Sequence, residues 1–385
     1  MPVSGSSTIR GMHLETTYWT AAEVEAIRRQ RVSAPAVIGA DDVLPVTDTI
    51  GIWDAWPVQD ADGMPAAIGP GRTLWIALGA PRRDDDPDER HNQARIHLVL
   101  HANGQWRHLG PVMPDGFSPG SREWSGSAVL AADRQTLTLY FTAAGRRGEA
   151  VPTFEQRLFS AQATLIGRGD RPTFANWRGL REIVQRDPSF YMASDGGTGK
   201  IGTIKAFRDP AYFRDHRDGR EFLFFAGSRA DAGSDFNGVI GAIVATSGGD
   251  AAWRLLPPII DATGVNNELE RPHVIRHGGL YYLFWSSQRH VFAPALAAPT
   301  GLYGMVAPSL DGGWRPLNGT GLVFANPAEA PRQAYSWFVL PDLSVISFID
   351  DWGRGADAAG ARRFGGTFAP LLHLRLAGET AGLRS

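Results

Sequence analysis

The sequence predicts an all-β protein, and three observations lead to this prediction. Short segments in which apolar and polar residues alternate with period two recur along most of the 385-residue chain. Turns rich in Gly, Pro, Asp and Asn separate these segments, and the chain contains 45 Gly and 26 Pro. After the first thirty or so residues, the sequence has none of the long amphipathic helical patterns that a βαβ architecture requires. A propeller or a sandwich would suit such a chain.

The composition excludes several classes of function. Lys and Arg number 38 against 40 Asp and Glu, and a net charge of −2 argues against nucleic acid or an anionic membrane as the main partner. The absence of Cys excludes disulfides, thiolate metal sites and a Cys nucleophile. Hydrophobic residues make up 43%, which is enough for a sizeable core, and the 12 Trp offer flat faces for ligands such as sugar rings.

The N-terminal segment, residues 1–35, is predicted to form an arm with one helix. Thr20 and Glu23 have the spacing of a capping box, which predicts a helix from Ala21 to Arg31 with Val24 and Ile27 on one face. No secretory signal pattern and no stretch long enough to span a membrane is visible. We expect a soluble protein that acts outside the cell without a visible signal peptide, with the cytoplasm or the periplasm as alternatives.

The rest of the chain is predicted to contain ten clear strands. They are Thr73–Leu78, Arg95–His101, Thr136–Thr142, Gln156–Leu165, Glu221–Ala226, Val239–Thr246, Leu280–Ser286, Leu302–Val306, Val345–Asp350 and Leu371–Leu376. No linker-like segment interrupts them, so we expect a single domain over residues 1–385. The sequence shows no repeat of fixed period, and the number of blades therefore cannot be derived from it.

Some conspicuous segments are expected to have no catalytic role. The charge run Arg82–Arg90 mixes both signs around a proline, which favours a solvated surface loop over a calcium loop. The glycines of segment 197–202 match a dinucleotide fingerprint but lack the surrounding strand and helix, which favours a turn. The ten His lack metalloprotease spacing. We therefore expect neither a cofactor nor a metal.

Two carboxylate motifs have neighbours suited to holding a sugar. In Trp53–Pro57, Asp54 lies between two tryptophans, where a carboxylate is expensive to bury unless it is hydrogen-bonded or functional. In Phe207–Pro210, Arg208 and Asp209 place a guanidinium beside a carboxylate; a simple turn salt bridge is the alternative, and the similar tripeptide at 186–188 shows how unspecific the pattern is.

A third motif, Glu268–Pro272, contains two glutamates at period two. If they lie on one face of a strand, their mutual repulsion raises the pKa of one of them, as a general acid near neutral pH requires. A solvated strand edge is the alternative interpretation.

Taken together and in this order, the three motifs resemble those of glycoside hydrolase family 68, the levansucrases, inulosucrases and related β-fructofuranosidases. Further matching segments are Tyr18–Thr20, Glu123–Ala128, Asn237–Gly241, Gln333–Trp337 and Ser347–Asp350. The resemblance covers most of the chain. It implies a five-bladed β-propeller with a central funnel, in agreement with the all-β prediction.

The resemblance also implies a role for each motif residue. Asp54 would be the nucleophile, Asp209 would hold fructosyl hydroxyls and stabilise the transition state, and Glu270 would be the acid/base. Asp209 is preferred to Asp187 because Lys205–Phe207 before it also match. The implied substrate-binding residues are Trp53 and Trp124 as walls of the fructosyl pocket, Ser125 beside the nucleophile, Arg208 between the two sugars, Glu268 at the leaving glucose and Tyr335 beside the acid/base and the nucleophile.

The chain departs from the family pattern at two positions. Many members carry Asp just before the Glu-x-Glu segment, where it helps to bind a structural calcium; here the residue is Asn267, so we expect no calcium at that place. Gln288 aligns where polymer-forming members usually have Arg or His, which favours hydrolysis and short products. A slip of the alignment would place Arg289 or His290 there instead.

These features lead to one main functional hypothesis and several alternatives. The main hypothesis is retaining β-fructosyl transfer from sucrose to water, sucrose or fructan, for which nucleophile and acid/base should lie about 5–5.5 Å apart. Invertase-like hydrolysis and inulosucrase linkage are alternatives within the family. A non-catalytic sugar-binding propeller is an alternative from another class, and a metal-dependent or nucleotide-binding enzyme is a distant third. The oligomeric state stays open.

Overall fold

A computed structural model describes residues 14–83, 86–193, 204–246, 252–353 and 362–384. The helix α1 spans Ala21–Glu25 and continues as a 3₁₀ helix over Ala26–Arg29, so the regular helix is shorter than predicted. The predicted capping box is present: the backbone N–H of Thr20 donates to Glu23 Oε2 at 2.7 Å. Val24 and Ile27 are buried, as the pattern indicated. In the described residues no helix is long and apolar enough to cross a membrane.

Strands account for most of the remaining structure. In the first half of the chain they are β1 (Thr17–Tyr18), β2 (Ile50–Gln59), β3 (Ala67–Gly69), β4 (Arg72–Pro81), β5 (Arg95–Ala102), β6 (Gln105–Pro111), β7 (Arg122–Leu130), β8 (Thr136–Ala144), β9 (Gln156–Ile166) and β10 (Thr173–Glu182). In the second half they are β11 (Phe207–Arg214), β12 (Glu221–Ser228), β13 (Gly238–Ala245), β14 (Trp253–Leu255), β15 (Ile260–Asp261), β16 (Glu270–His277), β17 (Leu280–Ser287), β18 (Gly301–Ala307), β19 (Arg315–Pro316), β20 (Leu322–Ala325), β21 (Ala334–Val339), β22 (Ser344–Ile349), β23 (Leu372–Ala377) and β24 (Thr380–Leu383). Short 3₁₀ helices span Ala40–Asp42, Pro87–Gln93, Arg289–Val291 and Leu317–Gly319.

The strands form antiparallel groups that follow one another along the chain. β2-β4-β5-β6 and β7-β8-β9-β10 are joined into one nine-stranded sheet by a short parallel pairing of β2 with β7, and β3 is added on β4. The next sheets are β11-β12-β13-β15, with β14 on β13, and β16-β17-β18-β19, with β20 on β18; the last is β21-β22-β23-β24. The N-terminal β1 pairs in parallel with β15 and thereby attaches the start of the described chain to the third group.

The first strand of each group lies at the centre of the molecule. β2 contacts β7, β7 contacts β11, β11 contacts β16, β16 contacts β21 and β21 contacts β2, so these five strands close a ring. A ring of this kind brings residues that are far apart in sequence to one axis. All ten predicted strands are confirmed, with ends that differ by at most three residues, but none of the five ring strands is among them.

Candidate active site

Each of the five ring strands is interrupted by a register shift at the residues of a predicted motif. The shifts lie between Trp53 and Trp56 in β2, Trp124 and Gly126 in β7, Arg208 and Ala211 in β11, Glu270 and His273 in β16, and Tyr335 and Phe338 in β21. A β-bulge re-aims side chains and increases the local twist, and bulges are enriched beside functional sites. The bulges therefore turn the motif residues towards the axis of the ring.

Four of these bulges contain a non-glycine residue in the left-handed region. The φ angles are 44° at Asp54, 66° at Asp209, 50° at Arg271 and 61° at Ser336. A backbone conformation of this kind costs about 1–3 kcal/mol and persists only where its surroundings hold it. In β7 the bulge instead depends on Gly126, because a Cβ there would lie only 2.0 Å from the carbonyl oxygen of Tyr140.

The predicted site residues meet at two adjoining cavities on the ring axis. The inner cavity, of about 90 Å³, is lined by eight of them: Trp53, Asp54, Trp124, Ser125, Arg208, Asp209, Glu268 and Glu270. The outer cavity, of about 320 Å³, is lined by the other two, Gln288 and Tyr335, and shares Asp54 and both glutamates with the inner one. The structure thus brings together all ten residues that the sequence singled out.

Asp54 is held by groups that favour its charged form. Ser125 Oγ donates to Asp54 Oδ2 at 3.0 Å, Ser336 donates a further hydrogen bond, and Arg271 supplies a nearby positive charge. Burial acts in the opposite direction and is the largest influence, so the pKa of Asp54 lies above its usual value. A carboxylate that is partly desolvated and oriented by hydroxyl groups is suited to nucleophilic attack.

Asp209 is 6% exposed and lies against two arginines. Its Oδ2 accepts the backbone N–H of Arg271 at 3.3 Å and lies 3.7 Å from Arg208 Nε. Burial raises the pKa of Asp209 to about 7, with smaller upward contributions from Glu270 and Asp54. The similar Asp187 lies in a turn, where its carboxylate accepts the backbone N–H of Ser189. The structure therefore separates the two Arg-Asp-Pro tripeptides.

Arg208 connects three carboxylates around the cavity. Its Nη2 lies 2.9 Å from Glu270 Oε1 and 3.5 Å from Glu268 Oε2, and its Nε lies beside Asp209. Its Nη1 is buried and has no hydrogen-bond partner among the described residues. Because a buried N–H without a partner is costly, this donor is suited to a ligand hydroxyl or a bridging water in the cavity.

The two glutamates of the third motif have different environments. Glu268 is buried and precedes β16, whereas Glu270 is the first residue of that strand and is half-buried. Burial, followed by the charge of Glu270, raises the pKa of Glu268 to about 8. The sequence predicted a raised pKa for one carboxyl of the pair, and the structure assigns it to Glu268. The expectation that both glutamates lie on one strand face is wrong, because Glu268 precedes the strand.

Glu270 is contacted by Tyr335 as well as by Arg208. The hydroxyl of Tyr335, in β21, donates to Glu270 Oε2, while Arg208 holds Oε1. Both carboxylate oxygens are thus oriented by donors from neighbouring ring strands. An orientation of this kind is what a group that transfers a proton at a defined position requires.

The walls of the inner cavity include a residue that the sequence analysis did not identify. The ring of His91 stacks on Trp53 at 5.8 Å and lines both cavities. Burial, followed by the charge of Arg90, holds the pKa of His91 well below its usual value, so its ring is neutral at pH 7. His91 Nε2 is buried without a hydrogen-bond partner in the described part of the chain. A neutral ring nitrogen here is suited to a ligand hydroxyl.

The expectation of a solvated surface loop at Arg82–Arg90 is wrong for its second half. Residues Pro87–Gln93 form a 3₁₀ helix, and Arg90 is buried with its guanidinium 4.3 Å from the Phe364 ring centre. Asp88 accepts from Arg90 at 3.0 Å and also binds Arg362, which itself binds Asp350. The alternating charges of the sequence are thus paired at the wall of the outer cavity.

Arg271 and Ser336 were also missed. Arg271 Nη1 donates to Ser336 Oγ at 2.7 Å, and its Nη2 donates to the carbonyl oxygen of Ala55 at 2.5 Å. Each residue directly follows a motif residue on a bulged strand, and the bulge turns both towards the cavity. A sequence signal existed only in their position next to Glu270 and Tyr335.

At the acceptor-side segment the structure distinguishes the three candidate residues. Gln288 and His290 line the outer cavity, whereas Arg289 is exposed and is not among its lining residues. The predicted position of Gln288 is therefore consistent with the geometry, and His290 is a second polar side chain at the same opening.

The surroundings of Asn267 do not fit a divalent cation. The Asn267 side-chain oxygen accepts from the Lys205 ammonium at 2.7 Å, so a positive charge already occupies this place. In the described residues no cluster of three or more His, Asp or Glu has the geometry to hold a metal ion. The glycine-rich segment 197–202 lies outside the described residues.

Comparisons with known proteins place this geometry in a family. The family model of levansucrase and invertase, glycoside hydrolase family 68, matches residues 11–236 and 231–384. The levansucrase of Erwinia amylovora is 32% identical, with 94% of this chain and 93% of that protein covered. A structure of an inulosucrase from Halalkalicoccus jeotgali bound to kestose is 34% identical, has a TM-score of 0.86 and covers 96% of this chain and 95% of that one. A levansucrase from Gluconacetobacter diazotrophicus, 23% identical with a TM-score of 0.83 over 97% of this chain and 90% of that one, supports the fold alone.

Proposed function

We propose that this chain, which is a member of the levansucrase and invertase family (glycoside hydrolase family 68), cleaves sucrose. In this reaction the protein transfers the fructosyl group with retention of configuration, through a covalent intermediate. The observation that carries the proposal is the convergence of Asp54, Asp209 and Glu270 on one buried cavity. A retaining glycosidase typically uses two carboxyl groups, one as the nucleophile and one as the acid/base.

In the first step, Asp54 attacks the anomeric carbon of the fructosyl group while the bond to the glucosyl oxygen breaks. Glu270 gives its proton to that oxygen, and glucose leaves. In the second step, Glu270 takes a proton from water or from a sugar hydroxyl, whose oxygen displaces Asp54 from the anomeric carbon. The contacts of Ser125 with Asp54 and of Tyr335 with Glu270 support these roles, because they orient the two reacting carboxyl groups.

The other groups would bind sugar and stabilise the transition state. We assign Asp209 to the fructosyl hydroxyls, Glu268 to the leaving glucose, and the free Nη1 of Arg208 to a hydroxyl between the two sugars. Trp53 and Trp124 would form the walls of the fructosyl pocket, since aromatic faces bind the apolar faces of sugars. The carboxylates around the cavity suit a transition state with oxocarbenium character, because their negative charge stabilises the positive charge that develops on the fructosyl ring.

We further propose that the five antiparallel groups are the blades of a five-bladed propeller and that residues 1–385 form one catalytic domain with an N-terminal arm. The closed ring of β2, β7, β11, β16 and β21 supports this proposal, because in a propeller the innermost strand of every blade faces the central channel. Extracellular action remains a prediction, which fractionation of the native cells would test.

The decisive experiment is incubation of the purified protein with sucrose, with free glucose and free fructose measured separately. Equal amounts would show hydrolysis, and an excess of glucose would show transfer of fructosyl groups to acceptors. Methylation analysis of the products would then distinguish β-2,6 from β-2,1 linkage. Sucrose binding without release of either sugar would contradict the proposal and favour a non-catalytic sugar-binding module.

Exhaustive chelation is expected to leave sucrose cleavage unchanged. The physical reason is that the Lys205 ammonium, not an acidic metal ligand, lies against Asn267. The measurement is the rate of glucose release, together with the melting temperature, before and after dialysis against a chelator. A fall in melting temperature that calcium reverses would contradict this expectation.

The wild-type protein is expected to release a large share of fructose to water and to form mostly short oligosaccharides. Gln288 lines the outer cavity, and a neutral amide fixes an incoming sugar less firmly than a charge-assisted donor would. Gln288→Arg and Gln288→His should therefore raise the ratio of transfer to hydrolysis several-fold, as measured by product chromatography. Arg289→Gln, at the exposed neighbour, is the matched control. Abundant high-molecular-weight fructan from the wild-type protein would contradict the reasoning at Gln288.

A further inference from the structure

The side chain of Lys205 ends in a cage of oxygen atoms beside the active site. Its Nζ lies 2.5 Å from the carbonyl oxygen of Asp235, 2.8 Å from Asn237 Oδ1 and 2.7 Å from Asn267 Oδ1. A lysine ammonium has three N–H donors and no acceptor, so these three contacts use its full hydrogen-bonding capacity.

The cage joins three chain segments that lead into ring and sheet strands. Lys205 lies three residues before Arg208 in β11, Asn237 directly precedes β13, and Asn267 is adjacent to Glu268. The ammonium therefore links the segment that leads into Arg208 with the segment that leads into the two glutamates. Asn237 reinforces the cage, because its Nδ2 donates to the carbonyl oxygen of Arg229 at 2.7 Å.

A short chain of contacts connects the ammonium to a predicted sugar-binding carboxyl. Asn267 accepts from Lys205 with its Oδ1 and turns its Nδ2 to Glu268 Oε1 at 3.3 Å and to the carbonyl oxygen of Ile204 at 3.5 Å. The Lys205 ammonium thus fixes which way the Asn267 amide points. The amide in turn presents a donor, not an acceptor, to Glu268.

The choice of lysine at this position is notable in a chain that otherwise uses arginine. The sequence contains 36 Arg and only 2 Lys, at positions 200 and 205. Arginine presents a planar fork suited to paired acceptors, whereas an ammonium is a compact charge whose donors diverge. Three converging oxygens, two from residues 235–237 and one from Asn267, suit the ammonium, and the wider guanidinium would push these two segments away from Lys205.

We propose that Lys205 is a positioning residue: its ammonium serves as a tethered cation that holds the Arg208 segment and the Glu268–Glu270 segment in register for sucrose cleavage. The inference rests on the proposed function and deepens it. A backbone carbonyl and two neutral amides satisfy a monovalent ammonium, whereas a divalent cation at this place would gain no carboxylate ligand from them. The Lys205 side chain thus bridges these segments as a bound cation would, and no ion from solution is needed.

The first test compares Lys205→Met and Lys205→Arg with Arg171→Met, which removes an exposed cation from the surface. Lys205→Met keeps the length of the side chain but removes the charge and all donors. Displacement of reacting groups by about an ångström costs about a hundredfold in rate, so kcat/KM for sucrose should fall by about ten- to a hundredfold in Lys205→Met. Lys205→Arg should not restore it, and Arg171→Met should match the wild type.

A second variant separates positioning from a general loss of stability. Lys205→Ala leaves room for a small ammonium ion, and n-propylammonium should restore part of kcat, whereas n-propanol at the same concentration should not. Restoration by the alcohol to the same extent, or by neither compound while the melting temperature falls by many degrees, would show cavity filling or stability alone and would overturn the proposal.

A third measurement does not depend on activity. Acylation of Lys205 by a small anhydride, followed by mass spectrometry, should proceed at least tenfold more slowly than acylation of a blocked lysine in solution, and Asn267→Ala should accelerate it. Reaction of Lys205 at the same rate as the blocked lysine would show that the three contacts do not hold the ammonium and would overturn the proposal. A wild-type protein that does not cleave sucrose would instead refute the proposed function. The acylation measurement would still test the contacts of Lys205, because it does not depend on activity.

Discussion

Replacement of Asp54 by Asn is expected to abolish sucrose cleavage, with a fall in kcat of about ten thousandfold or more, as the loss of a nucleophile causes in hydrolases. The amide cannot attack the anomeric carbon, yet it has almost the volume of the carboxylate. Its oxygen can still accept the hydrogen bond that Ser125 donates to Asp54 at 3.0 Å in the wild-type protein. The fold and sugar binding should therefore persist. The measurements are glucose release from sucrose and the melting temperature of the purified variant.

Asp187→Asn is the matched control for this experiment. Asp187 belongs to a sequence motif like that of Asp209, but its carboxylate accepts from Ser189 in a turn and does not line either cavity. Its amide variant should cleave sucrose at the wild-type rate. A folded Asp54→Asn protein with wild-type turnover would refute the assignment of the nucleophile.

The second large effect is expected at Glu270 and should depend on the donor. Glu270→Gln removes the proton that the glucosyl oxygen needs, and loss of a general acid costs about 10²–10⁴-fold. The loss should be much smaller on a fructosyl donor with a good leaving group, because such a group departs without protonation. The ratio of kcat/KM on the two donors is the measurement, and an equal loss on both would indicate a purely structural role.

Glu268→Gln serves as the comparison, because the structure leaves a real choice between the two glutamates. Burial, followed by the charge of Glu270, raises the pKa of Glu268 to about 8, which favours the protonated form of this carboxyl. Glu270, however, is the one whose two oxygens are oriented by Arg208 and Tyr335. We therefore expect Glu268→Gln mainly to raise KM for sucrose. A donor-dependent loss larger than that of Glu270→Gln would show that the two roles must be exchanged.

The same geometry explains why the sequence analysis found the outer strands and missed the ring strands. β8 and β12 pair with β9 and β13 without a register shift over seven or more residues, and a strand without a bulge keeps the regular pattern that is readable from the sequence alone. β2, β11 and β16 each contain charged motif residues and a bulge that breaks the period of two. The motif residues that carried the family resemblance thus also interrupt the alternating pattern by which their own strands could have been predicted.

Some site residues were predictable and others were not, for a related reason. Asp54, Asp209 and Glu270 stand in short segments whose composition is unusual, and local sequence is sufficient to single out such segments. His91 lies in a mixed charge run whose pattern indicates solvent, and only its stacking on Trp53 at 5.8 Å reveals its place. The sequence shows Lys205 only as a neighbour of the second motif, because its partners lie 30 to 62 residues further along the chain.

The sequence by itself determined the all-β class, the N-terminal helix start at Ala21 and the identity of the carboxylates, because turn chemistry, side-chain alternation and capping act over a few residues. Only the tertiary structure decided which of them meet. Asp54, Asp209 and Glu270 come together because five bulged strands close a ring, and the burial that this ring imposes is what raises the pKa of Asp209 to about 7 and that of Glu268 to about 8. Desolvation and the approach of like charges are properties of the assembled cavity, and no single segment of the chain carries them.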